Sequence, residues 1–126
     1  ELYILDFSFL FFKRMPLCVF YTNVPDKDVP RTFEVDLSKL IAEVLSKPLE
    51  KVAVNVLPGQ RMVSGGTSEP TCWMNLWSIG VFDAERNPGY ATKLYPFITE
   101  SLGIASDKIV LLFHDIAATQ RAQPPI

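Results

Sequence analysis

Cysteine is scarce. Cys18 and Cys72 are the only two in 126 residues, and they form no CxxC pair. That excludes a dithiol redox site and a zinc knuckle. Each lies inside an apolar, strand-like run and reads as a buried free thiol. Histidine is scarcer still: His114 stands alone, close to a strand end, with no partner evident from the sequence. Charge of one sign is also lacking. Twelve basic residues meet fourteen acidic ones, the net charge is −2, and no basic stripe gathers anywhere. Nucleic-acid binding therefore has no electrostatic support. The apolar run over residues 2–12 contains Asp6 and is shorter than the ~20 residues of a transmembrane helix, so no membrane span is expected. Its positive charges, Lys13 and Arg14, follow the apolar stretch, and no small-residue cleavage site comes after them. That is not the pattern of a typical signal peptide. No metal site and no cofactor is expected.

What is present fits a globular chain: 48% hydrophobic and 21% charged residues, enough for one domain with a modest core. Residues 1–15 read as an N-terminal extension outside the functional domain, which is expected to span 16–126. Pro16 opens the run Leu17-Cys18-Val19-Phe20-Tyr21, closed by Thr22-Asn23-Val24-Pro25, a strand ended by a turn signal. Phe33, Leu37, Leu40, Ile41, Val44 and Leu45 then recur at helical period. Pro30 suits the first turn of that helix and Pro48 stops it. Val52 to Leu57 is a β-branched strand ended by Pro58-Gly59. Gly65-Gly66 in the next segment matches neither common phosphate-binding pattern and reads as a surface loop.

Cys72 to Val81 reads as a strand with two apolar faces. Cys72, Met74 and Leu76 point one way; Trp73, Asn75 and Trp77 point the other. A turn over 83–89 leads to a second helical stripe, Tyr90, Leu94, Phe97, Ile98 and Leu102. Pro96 lies inside it, which normally kinks a helix or costs it about 3 kcal/mol. Gly103 ends the helix, and Lys108 to Phe113 is a strand. Residues 117–126 carry no periodic signal and are expected to fray.

The order is strand, helix, strand, twice over. The halves echo each other, Glu50-Lys51-Val52 against Asp107-Lys108-Ile109. Two βαβ units in so short a chain predict an α/β (α+β) fold with a mixed four-stranded sheet. Both helices lie on one face, because crossovers of one hand put them there. Two tryptophans on the opposite face imply that another subunit covers it.

From Pro16 to about Ile116 the chain resembles the macrophage migration inhibitory factor and D-dopachrome tautomerase family. The matching stretches are Met15-Pro16 with Thr22-Asn23-Val24-Pro25, Lys47-Pro48, Gly65-Gly66-Thr67-Ser68-Glu69-Pro70, Ser78-Ile79-Gly80 and Asp107-Lys108-Ile109. They occur in family order. The resemblance implies a tautomerase-like homotrimer with sites between subunits. The substrates implied are small phenylpyruvate-like α-keto acids or dopachrome-like aromatics. Cytokine-like signalling through a cell-surface receptor is implied too, with a cytoplasmic and secreted location reached without a typical signal peptide.

The resemblance also implies site residues. Pro16 corresponds to the family's N-terminal proline, the catalytic base. Lys47 corresponds to the lysine that binds the substrate carboxylate, and Ile79 to a residue whose backbone N–H donates to substrate. Read by themselves, Pro16 is a strand-opening proline, Lys47 a solvated helix-end lysine and Ile79 a core residue. The family's tyrosine and asparagine, supplied by an adjacent subunit, correspond to Val110 and Leu112, which carry no polar group. The family's usual aromatic C-terminal segment is replaced by a run ending Gln120-Arg121-Ala122-Gln123-Pro124-Pro125-Ile126. Two function classes stay open: a tautomerase acting through Pro16, provided that Pro16 is the mature N-terminus, and a cytokine-like binding trimer with a vestigial pocket.

Overall fold

In the computed structural model, residues 15–122 and 124–125 are described. The extension read over residues 1–15 falls outside them, apart from Met15. Four strands form one sheet: β1 (Leu17–Thr22), β2 (Ala53–Leu57), β3 (Cys72–Ser78) and β4 (Ile109–Asp115). Their order is β2-β1-β3-β4. The outer pairs, β1 with β2 and β3 with β4, are parallel, and the central pair, β1 with β3, is antiparallel. This is the arrangement expected of two βαβ units joined through their first strands.

The helices are α1 (Phe33–Leu45) and α2 (Asn87–Leu102). In α1 the buried residues Phe33, Leu37, Ile41 and Leu45 repeat every four positions and form one stripe. Pro30 lies before the helix, where its carbonyl accepts the Phe33 N–H at 3.0 Å. α2 starts three residues ahead of its apolar stripe. Asp83 and Asn87 shape that start, with the Asp83 carboxylate accepting the Arg86 N–H at 2.7 Å and the Asn87 amide oxygen accepting the Asp83 N–H at 3.1 Å. α2 runs through Pro96 unbroken, held by its buried residues Leu94 and Ile98. Packing here outweighs propensity.

Both stripes pack on the sheet face carrying Cys18, Phe20, Cys72, Met74 and Leu76, and together they make one core. Phe33 stacks on Phe97 at 5.5 Å and joins the two helices. Burying each such side chain contributes about 1.5–3 kcal/mol. The echo between halves has a structural form. Each helix ends on a left-handed residue, Ser46 (φ 53°) or Gly103 (φ 70°). Each is then followed by a 3-10 turn, Leu49–Lys51 or Ser106–Lys108, that feeds the next strand.

β3 ends at Ser78 instead of Val81, because Gly80 turns the chain at φ 69°. The Gly65-Gly66 pair forms a tight turn with both residues at positive φ, bridged by Ser64 and Thr67. Lys108 Nζ donates to Ser64 O at 2.7 Å and closes this loop against the start of β4. The second sheet face is open among the described residues. Trp73 (47% exposed), Val110 (41%) and Leu112 (47%) lie on it.

Candidate active site

The topology carries several sequence-predicted residues to one end of the sheet. Pro16 immediately precedes β1, and its carbonyl accepts the Ala53 N–H at 3.1 Å where β2 begins. Because β1 and β2 are parallel, the connection from α1 to β2 arrives at this same end, bringing Lys47. β3 runs the other way and therefore finishes here. Leu17 pairs with Trp77, so Ser78 and Ile79 emerge beside Met15 and Pro16. Ser78 Oγ lies 3.5 Å from Met15 O, the outer limit of a hydrogen bond. β4 also finishes here, and Ile116 N–H donates to Ser78 O at 2.9 Å.

Pro16 opens β1 as its reading by itself had it, whereas Lys47 and Ile79 depart from theirs. The Pro16 ring is fully buried, and its nitrogen is an amide because Met15 is attached. Lys47 is not a solvated helix-end lysine: it is 7% exposed, and its backbone N–H closes α1 on Ala42 O at 2.9 Å. Ile79 is only half-buried. Val110 and Leu112 are not brought to Pro16 within one chain. They lie on β4, two strands away, and face the open side next to Trp73 and Asn75.

Beside Pro16, on the open face, lies a concavity of about 620 Å³. Met15, Leu17, Val19 and Trp77 line it from the sheet, and Ile116 from the end of β4. Gln120, Arg121 and Ala122 line it from the tail. The tail is ordered there by a 3-10 turn, Ala118–Gln120, in which the Gln120 side-chain oxygen accepts the Ala117 N–H at 3.0 Å. Pro16, Lys47 and Ile79 do not line this concavity; Met15 does. Trp77 is held by its neighbours: its ring stacks on His114 at 4.7 Å and 16°, and His114 Nε2 lies 2.8 Å from Asn75 Oδ1. His114 thus has two partners that the sequence did not disclose. Among the described residues, no cluster of three or more His, Cys, Asp or Glu is placed to hold a metal ion.

The shared stretches near β1 and the 61–71 loop hold the fold. Thr22 is buried and donates through Oγ1 to Thr71 O at 2.8 Å. The Asn23 amide donates to Ser68 O and Glu69 O, and it accepts the Thr71 N–H at 2.9 Å. The model of the macrophage migration inhibitory factor family matches residues 15–123.

The chain belongs to this family. It is 37% identical over 102 residues to the MIF-like protein mif-2 of Caenorhabditis elegans, covering 81% of this chain and 85% of that protein. It is 40% identical over 100 residues to D-dopachrome decarboxylase-B of Xenopus laevis, covering 79% of this chain and 85% of the relative. Among solved structures, the macrophage migration inhibitory factor from Trichinella spiralis superposes with a TM-score of 0.82 at 29% identity. That match covers 85% of this chain and 95% of the other. As a family member the chain has the tautomerase-like fold, and among its described residues no helix is long and apolar enough to cross a membrane.

Proposed function

We propose that this protein is a keto–enol tautomerase of phenylpyruvate- or dopachrome-type substrates, with Pro16 as the proton-transferring base. The observation that carries the reading is the convergence of Pro16, Lys47 and Ile79 at one end of the sheet from three separate elements. Family membership supports it. Tautomerisation moves a proton between carbon and oxygen, so it needs a base with a pKa close to the working pH. A terminal amine starts near ~8, and apolar surroundings lower it by disfavouring the charged form. Buried Pro16 has such surroundings. Lys47 would neutralise the substrate carboxylate and the Ile79 N–H would donate to substrate. The working unit in this reading is a homotrimer.

With Met15 attached the Pro16 nitrogen is a tertiary amide whose lone pair is delocalised, and it cannot act as a base near neutral pH. The base therefore works only in chains that start at Pro16. The test compares phenylpyruvate tautomerisation by the full chain, by the chain starting at Pro16, and by that shorter chain with Pro16→Gly. Only the second should be fast. Equal rates for the first two would refute Pro16 as the base.

A second reading has its own support: Val110 and Leu112 offer no polar group where the family resemblance implies a tyrosine and an asparagine. On that reading the protein is a cytokine-like binding trimer, acting outside the cell on a surface receptor, and all three chains would be slow.

A further inference from the structure

β3 stops at Ser78, and the two peptides that follow are held one by one. The Ser78 carbonyl accepts the Ile116 N–H at 2.9 Å, so it points toward β4. No described peptide bond is cis, and a trans peptide sends its C=O and N–H to opposite sides. The Ile79 N–H belongs to the same peptide as the Ser78 carbonyl. It therefore points away from β4, toward the side on which β1 and Pro16 lie. Among the described residues no acceptor takes it.

That direction holds only if the chain beyond Ile79 stays in place, and Gly80 has no side chain to anchor it. In a regular parallel ladder the next rung would carry the Gly80 N–H to the β4 backbone. Here the Asp115 carboxylate takes it instead, with Oδ1 accepting at 3.3 Å. Arg86 Nη2 donates to Gly80 O at 3.3 Å, and Arg86 is itself fixed by its bond from Nε to Asp83 Oδ2 at 2.7 Å. The turn at Gly80, φ 69°, is thus gripped on its N–H from β4 and on its carbonyl from the start of α2. Both grips are charge-assisted. Along β4, Asp115 alternates with Leu111 and Phe113, which pack on the core. The grip therefore lies on the helix side of the sheet, away from the open face.

We propose that Asp115 is a positioning residue for the Ile79 donor. By holding the Gly80 N–H it fixes the left-handed turn after β3 and keeps the Ile79 N–H aimed at substrate beside Pro16. Asp115 itself touches no substrate, and Arg86 is the second restraint on the same turn. The proposal rests on the reading of Ile79 as a substrate donor under the tautomerase function.

The test has two arms. In the full chain, amide order parameters are measured by NMR for the parent, Asp115→Ala and Asp115→Asn. Ile79 and Gly80 should fall from about 0.85 to below about 0.6 in Asp115→Ala, with the melting temperature little changed. Asp115→Asn keeps an oxygen acceptor for the Gly80 N–H and should stay near the parent. The second arm measures phenylpyruvate tautomerisation by the same three variants in the chain starting at Pro16. No described core residue precedes Cys18, so that chain keeps the whole core. Removing a preorganised donor outright costs about 10²–10³ in rate, so a loosened one should lower kcat/KM about 10-fold in Asp115→Ala, with Asp115→Asn within about 2-fold of the parent. Unchanged order at Ile79 in Asp115→Ala overturns the proposal, as does a loss of order with no loss of kcat/KM. A loss in Asp115→Ala that Asp115→Asn does not rescue overturns it too. A parent chain starting at Pro16 that shows no turnover overturns the tautomerase reading and this proposal together, whereas an active parent matched by Asp115→Ala overturns this proposal alone.

Discussion

Asn23→Ala should be among the most damaging changes at a half-exposed position. The amide sits just past β1 and ties it to the loop that precedes β3. It donates to Ser68 O at 3.2 Å and Glu69 O at 2.9 Å, and accepts the Thr71 N–H at 2.9 Å. The two donated bonds are exposed, so water replaces them and each loss costs about 0.5 kcal/mol. The Thr71 N–H is different. Thr71 is fully buried, and stranding a buried donor costs about 1–3 kcal/mol. The total is about 2–4 kcal/mol. At roughly 4 °C per kcal/mol for a domain of this size, the melting temperature should fall by about 8–16 °C. Urea unfolding at fixed protein concentration should show a lower midpoint with an unchanged slope. Asn23→Asp keeps an acceptor for Thr71 but puts a carboxylate beside two carbonyl oxygens, so it should also destabilise at neutral pH. A loss below 0.5 kcal/mol for Asn23→Ala would mean that β1 and this loop are held together by something other than these bonds.

Burial pushes the thiols of Cys18 and Cys72 up to about 12, from 9.0. Both should resist iodoacetamide in the native protein and react at once in denaturant. Between those two values the folded chain keeps protons that the unfolded chain has released. Stability is therefore full below about pH 9 and falls as pH rises, by up to about 1.4 kcal/mol per unit for each thiol; a flat stability profile from pH 9 to 11 would contradict this. Ser46 ends α1 at φ 53°, a conformation that L-residues resist and glycine accepts, so Ser46→Gly should raise stability by up to about 1 kcal/mol in a thermal melt. Light scattering of the parent at micromolar concentration should give three times the chain mass, and Trp73→Lys should lower it by putting a charge on the open face. A monomeric parent would refute the covered-face reasoning.

The sequence alone determined the elements and, through them, the layers. Periods of two and of nearly four are local properties, so the strand at 17–22 and the stripe Phe33-Leu37-Ile41-Leu45 could be read directly. The single hand of βαβ crossovers then placed both helices on one face without any knowledge of register. Family resemblance named Pro16, Lys47 and Ile79, yet nothing local says that they share one end of the sheet. That follows from β3 running antiparallel to β1, a pairing between residues far apart in the chain. The end of β3 was misread by three residues because apolar Ile79 and Val81 continue the pattern, while a positive φ at Gly80 is a backbone event with no periodic signature. His114 looked partnerless because Trp77 and Asn75 reach it only through the β3–β4 register. Arg121 was passed over for a related reason. A tail without periodicity gives no sequence cue to where it lies, and only the tertiary structure puts Gln120, Arg121 and Ala122 around one concavity with Leu17, Val19 and Trp77.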